Sequence, residues 1–301
     1  MAKTPAQKLC ELVDKKYLVF TSRGNNSIKL SLEVLKLRKK HSKVLIQDQG
    51  GWLTYPEFIE KLKFEKVELK TDYGLINPKD LEAHKGAVLL VNSMPAYAFL
   101  EDMEFIYEKC MENKIFVIND VSGSIGTDEA KYGDVIIGSF GNAKPIDLGE
   151  GGFIATNCEL LYREFCELND FKPDVQCLDS LDVRIHMLDD TLMQFDIVHF
   201  QVIEDLSLFH IIHPDNRGIN VIVKFNNDEE KNEILEYCKI SELEHTICPR
   251  YIRVNCPAVS IEIKRLKTEP VEEIKVDYDK TDEDKFKDDN LEQDETDDEV
   301  R

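Results

Sequence analysis

Residues 118–156, INDVSGSIGTDEAKYGDVIIGSFGNAKPIDLGEGGFIAT, restrict the possible folds of this chain more than any other stretch. Three short apolar runs are separated there by polar or glycine-rich residues. The first ends at Asp120, the second lies just before Lys144, and the third follows Gly149-Glu150-Gly151-Gly152. Runs bounded in this way predict strands of one sheet. Open α/β sheets bind ligands at the carboxyl ends of their strands, so an acid and an amine are expected to meet there.

The chain ahead of this stretch repeats one theme. Leu9, Leu12 and Val13 fall at helical spacing and predict a short amphipathic helix. An apolar strand at 17–20 runs into the polar turn TSRGNNS, and Ile28, Leu32 and Leu35 then mark one face of a helix. Such a layout aims free N–H groups and the positive end of a helix at an anion, although the same residues also make an ordinary helix cap. A strand at 44–46, a loop with Gly50, Gly51 and Trp52, a helix, and strands at 67–69 and 87–91 follow. Met103, Ile106, Tyr107 and Cys110 share a helix face before the strand at 115–118 that leads to Asp120. Trp52, the single tryptophan, either caps the core or stacks on a flat ligand. The alternation predicts an α/β fold with a mainly parallel sheet covered by helices.

Beyond residue 156 the pattern turns helical, in NCELLYREFCELND and LDSLDVRIHMLDDTLMQFDIVHFQVIEDL. Residues 218–268 read as a small α+β unit, with strands in GINVIVKF and near YIRVN and VSIEIKRL, and a helix in NNDEEKNEILEYCKI. The expected organisation is therefore a large domain at 1–165, a helical connection at 166–217, a small domain at 218–268 and a tail at 269–301. No internal repeat is found.

Charge separates that tail from the rest. Of the net charge of −21, residues Glu269–Arg301 contribute 16 acidic and 5 basic side chains, a net −11. Little apolar content accompanies them, so a disordered tail is expected, serving solubility, a basic partner or a salty medium. The remaining −10 argues against a nucleic-acid surface, which needs a basic stripe. No apolar run reaches about 18 residues and MAKTPAQKLCELVDKK has no apolar signal core, so no membrane span or signal peptide and a soluble cytoplasmic protein are expected. The eight cysteines form no CxxC pair and no Cys/His ligand spacing; reduced thiols in apolar patterns are the expectation, against a metal site or a disulfide framework.

A lysine in a polar turn is ordinarily a surface residue, but here its companions matter. Pyridoxal phosphate chemistry needs an amine, a carboxylate for the pyridine nitrogen and a phosphate cradle. Lys144, Asp120, and the Gly24/Asn25 turn with Ser139 supply these types at predicted strand ends. The order NDVSGSIG, SFGNAK, GEGG resembles the DegT-type sugar aminotransferases, fold-type I enzymes that depend on pyridoxal 5'-phosphate (PLP). RGNNSI, GGWLT and LEDMEFIYEKC extend the likeness over roughly residues 17–160. The resemblance implies a homodimer with Lys144 as the Schiff-base lysine and proton shuttle, Asp120 on the pyridinium nitrogen, Ser139, Gly24 and Asn25 on the phosphate, and Trp52 on the ring.

Some positions depart from the family. Its usual glutamine and histidine downstream of the aspartate are Gly123 and Ile125 here. Its asparagine-aromatic-arginine-methionine motif, whose asparagine reaches the partner's cofactor phosphate, has its nearest match at 182–185, with Asp182 in place of the asparagine and Arg184 as an anion ligand or a packing residue. An amino acid to keto-acceptor transamination, with a nucleotide sugar as one acceptor, is therefore weighed against a non-catalytic binding or regulatory PLP-fold protein. A desulfurase or lyase is the third reading, for which Cys158 and Cys177 offer no nucleophile motif. His186, Tyr97, Arg217, Arg250 and Arg253 are each either substrate ligands or structural residues.

Overall fold

The computed structural model describes residues 3–266, so the expected disordered tail from 269 lies outside the described residues. The chain enters through α1 (Pro5–Leu12), whose start is closed by a reciprocal cap. The Thr4 hydroxyl accepts from Gln7 N–H, and Thr4 N–H donates to the Gln7 side chain at 2.8 Å. There follow β1 (Tyr17–Thr21), α2 (Gly24–Arg38), β2 (Lys43–Gln47), α3 (Thr54–Lys61), β3 (Glu65–Leu69), β4 (Val88–Asn92), α4 (Met103–Glu112), β5 (Phe116–Asp120), β6 (Val135–Ser139) and β7 (Gly152–Thr156). These strands form one seven-stranded sheet in the order β1-β7-β6-β5-β4-β2-β3.

The pairs β2/β3, β2/β4, β4/β5 and β5/β6 are parallel, while β7 runs antiparallel to both β1 and β6. The three apolar runs of the central stretch are strands of one sheet, as expected, and are neighbours in it. The third arrives by its beginning rather than its end: Gly152 lies opposite both Ser139 and Thr21. All five residues of β4 and of β7 are buried, as expected of strands covered on both faces. Ile28, Leu32 and Leu35 of α2 join Ile46, Leu90, Ile118 and Ile137 in one apolar layer, and Met103, Ile106 and Cys110 of α4 join Leu89 and Val117 in the opposite one.

The second half continues with α5 (Glu159–Leu168), α6 (Val175–His186) and α7 (Leu188–Asp205). A four-stranded antiparallel sheet follows, built from β8 (His210–Ile211), β9 (Val221–Lys224), β10 (His245–Cys248) and β11 (Ala258–Ile261) in the order β10-β11-β9-β8. Its helix, α8 (Asp228–Ile240), buries Ile234 and Cys238. The strand expected near YIRVN is instead a turn, and its ladder position is taken by His245–Cys248. Pro249 has no N–H to extend the pairing, so the chain leaves the sheet there. All eight cysteines are free thiols, and no described helix is long and apolar enough to cross a membrane.

A buried polar network fixes the loops above the sheet. Gln47, at the end of β2, donates to Gly74 O, Asn92 O and Glu101 Oε1 and accepts from Asn92 N–H. Asn92 in turn donates to Gly50 O at 2.9 Å, which anchors the loop carrying Trp52. Burial raises the Glu101 carboxyl to about 8, against the opposing bonds from Ile76 N–H and Gln47. A carboxyl raised from its ordinary 4.5 stabilises the fold fully at low pH and loses that contribution as pH climbs through about 8. Glu101→Gln should therefore remove a loss on the order of a few kcal/mol between pH 5 and 8, read as the difference between the two proteins' denaturant-unfolding curves.

Candidate functional site

At the carboxyl ends of the parallel strands lies a cavity of ≈ 370 Å³ that gathers Arg23, Gly24, Asn25, Trp52, Tyr97, Asp120, Ser122, Ser139, Lys144 and Glu150. Every residue singled out from the sequence as a cofactor ligand is therefore in one place. Asp120 closes β5, Ser139 closes β6, and Gly24 and Asn25 open α2. A wider cleft of ≈ 740 Å³, lined by His210, His213 and Arg217 among others, contains none of these residues.

Three close approaches shape the cradle. A Cβ on Gly24 would meet Ser139 Cβ at 2.6 Å, and one on Gly152 would meet Gly138 O at 2.7 Å and Gly24 N at 2.9 Å. Only glycine lets α2 start flush against β6 and β7. The first N–H groups of α2 have no acceptor within the helix and point their partial positive charge outward. Trp52 Nε1 donates to Asn25 Oδ1 at 2.7 Å, tying the aromatic ring to that helix start.

Asp120 is held from two sides. Tyr55 Oη donates to Oδ2 at 2.6 Å, while Ser122 N and Oγ donate to Oδ1 at 3.0 and 2.6 Å. Tyr55 is fully buried, and burial followed by the Asp120 charge raises its phenol far above the usual value, so it stays a donor. Lys144 is buried as well, and its Nζ donates a hydrogen bond to Tyr97 Oη. Burial, then the Lys264 charge, lowers the Lys144 amine to about 7, with Asp120 pulling the other way. Near neutral pH this lysine is substantially uncharged and nucleophilic, which a surface lysine is not.

The cavity thus brings an aromatic ring, a helix start, a held carboxylate and a buried amine around one space. The model of the DegT/DnrJ/EryC1/StrS aminotransferase family matches residues 3–174, more than half of the chain. The chain belongs to that family. Its enzymes are PLP-dependent aminotransferases, and an amine, a carboxylate and an anion cradle in one cavity fit that cofactor. A second model, the MJ1341 family C-terminal domain, matches residues 189–278. No curated protein matches the sequence. Among solved structures, a DegT DnrJ EryC1 StrS aminotransferase from Brucella abortus is similar at 16% identity and TM-score 0.68, over 88% of this chain and 85% of that one. Helicobacter pylori PseC, an aminotransferase involved in the biosynthesis of pseudoaminic acid, is similar at 14% identity and TM-score 0.66, over 86% and 84%. NtdA from Bacillus subtilis, with bound cofactor PMP, is similar at 15% identity and TM-score 0.64, over 87% and 73%.

The departures from the DegT pattern acquire physical reasons. A Cβ on Gly123 would lie 2.8 Å from Cδ1 of Tyr97, so the tyrosine ring occupies the space a longer side chain would need. Ile125, at the family's histidine position, is packed in the core with Leu188 and Leu192. Asp182 lies in α6 and pairs with Lys8 at 2.6 Å; neither it nor Arg184 lines the cavity. Of the other candidates, Tyr97 reaches the cavity, Arg253 is buried against Glu262, Arg217 pairs with Asp196, and His186 and Arg250 lie outside the cavity lining. Sequence reasoning missed Tyr55 and Ser122. Ser122 stands two residues after the aspartate, a spacing that lets its hydroxyl turn back on it, whereas Tyr55 reads as an ordinary apolar-face residue of α3.

Removing the Tyr55 hydroxyl leaves one Asp120 oxygen without its buried donor. Tyr55→Phe should destabilise the protein by about 1–3 kcal/mol in urea unfolding. An unchanged midpoint would show that the bond contributes nothing net.

Proposed function

We propose that the cavity binds PLP through Lys144 and Asp120 and transfers an amino group from an amino acid such as glutamate to a keto group, with a nucleotide-linked sugar as acceptor. The observation that carries this reading is the meeting of a buried amine and a doubly held carboxylate in one cavity with the N-terminus of α2. PLP supplies an aldehyde for the amine and a ring that withdraws electrons from the reacting carbon.

The chain's own residues have separate tasks in this scheme. The Asp120 carboxylate, fixed by Tyr55 and Ser122, holds a proton on the pyridine nitrogen. Gly24 and Asn25 N–H groups and Ser139 Oγ would hold the phosphate, and the Trp52 ring would flank the cofactor ring. Lys144 Nζ would be the amine that meets the aldehyde and the group that moves a proton at the reacting carbon, and a value near 7 would let it both accept and return that proton. The part that Helicobacter pylori PseC has in the biosynthesis of pseudoaminic acid supports the sugar acceptor. Met193, Ile197 and Phe200, exposed along one face of α7, support the homodimer. In this reading residues 1–165 are the cofactor-binding portion and residues 218–268 a smaller domain, in a cytoplasmic enzyme.

Gly123 and the Lys8-bound Asp182 favour a second reading, in which the PLP fold persists as a binding or regulatory module without turnover. One titration separates the two. Wild-type protein mixed with PLP should develop the visible absorbance of lysine-bound cofactor, and Lys144→Ala should lack it. Adding glutamate should convert that band to the pyridoxamine phosphate spectrum. A wild-type band that ignores glutamate favours the module, and no band at all, or one retained in Lys144→Ala, sinks the cofactor assignment.

A further inference from the structure

Three basic side chains approach the ring of Tyr97. Lys144 Nζ lies 4.0 Å from its ring centre, Lys264 Nζ 4.9 Å and Arg253 Cζ 5.3 Å. Lys264 and Arg253 belong to the second sheet region, one just after β11 and the other in the turn after β10. They are 6% and 4% exposed, and both are anchored on Glu262, itself 1% exposed. Arg253 binds it in bidentate fashion at 2.8 and 2.7 Å, and Lys264 lies 3.3 Å away. Burial alone would raise Glu262, but the Arg253 bond and charge and the Lys264 charge hold it down at about 2, so it is ionised. Lys264, lowered by burial against the pull of Glu262, remains charged up to about 8.

Two buried cations and one carboxylate leave one net positive charge beside Tyr97. Buried ion clusters contribute little to folding and are often replaceable by apolar side chains without loss. A charge kept there, one aromatic ring from the cavity's amine, points to a task in the site. Tyr97 is suited to transmit it: its hydroxyl is bonded to Lys144, and its ring packs in the space above Gly123. Its backbone is held in a left-handed conformation at φ +61°, next to Ala96 at +58°, an arrangement that costs free energy and persists only where surroundings enforce it.

We propose that Lys264, Arg253 and Glu262 form a positioning cluster for Lys144, placing a fixed positive charge beside Tyr97 that favours the uncharged, nucleophilic form of the amine while the Tyr97 hydroxyl aims it. This rests on the reading of Lys144 as the cofactor lysine. The groups acting on Lys144 are Asp120 from β5, which favours its charged form together with Glu262, and Lys264 and Arg253, which oppose it. Each member of the cluster therefore has a signed effect.

The test uses the full chain without cofactor. Amines are pulse-labelled with acetic anhydride across a pH series, and the Lys144 peptide is quantified by mass spectrometry to give its titration midpoint. Lys264→Met should raise that midpoint by roughly one pH unit, and Lys264→Arg should leave it near the wild-type value. Glu262→Gln should lower it. Lys264→Met leaves Glu262 with its bidentate Arg253 partner; should that variant not fold, Glu262→Gln decides. Opposite shifts in the two variants support the cluster, because a packing disturbance has no reason to follow charge sign. Unchanged midpoints, or shifts in the same direction, overturn it. PLP added separately to wild type tests the other reading: absence of the visible band there sinks the cofactor role of Lys144, whereas a band with unmoved midpoints sinks only the cluster.

Discussion

The reversed strand β7, hydrogen-bonded between β1 and β6, is the constraint on which the site depends. Its register sets Gly152 opposite Thr21 and Ser139, so two carboxyl strand ends and one amino end meet at the same edge. The backbones there are too close for side chains: a Cβ at Gly152 would fall within 3 Å of Gly138 O, Gly24 N and Thr21 Oγ1. α2 can then begin directly on the sheet, with its exposed N–H groups facing the cavity. A side chain at Gly24 or Gly152 would push the helix start away from the strand ends that line the cavity.

Placing an acid and an amine inside the same protein cavity is costly unless each finds partners. The chain meets this by different means for each. Asp120 keeps its full set of donors from Tyr55 and Ser122, so its oxygens are occupied and oriented. Lys144 has one hydroxyl partner and two neighbouring cations, Lys264 and Arg253, so burial loosens its proton although Asp120 and Glu262 pull the other way. The two groups thus keep distinct chemical characters although they share one pocket.

Much of this was readable from the chain because the decisive residues sit next to turn signals at the ends of short apolar runs. Asp120, Ser139, Lys144, Gly24, Asn25 and Trp52 each border a strand or its loop, and strand ends on one side of a parallel sheet have nowhere else to go. The parts that were not readable involve long sequence separations. Tyr55 is 65 residues from Asp120, and Arg253 and Lys264 come from a second sheet; helical or strand periodicity carries no information about such pairings. The misplaced strand near YIRVN has a local cause. Both that segment and His245–Cys248 alternate acceptably, and Pro249 between them determines which one can keep its ladder bonds.

Segment 95–98 joins the cavity to the second half of the chain. Tyr97 O accepts from Ile219 N–H at 2.8 Å, Ala96 O accepts from the Asn220 side chain, and Gly218 is so close to Ala98 O that a Cβ would lie 2.1 Å from it. The two family matches end and begin at residues 174 and 189, yet the seam between their territories runs through the backbone that carries the tyrosine of the site. A displacement of the strand leading from Gly218 would therefore be passed directly to the loop that holds Tyr97 in the cavity.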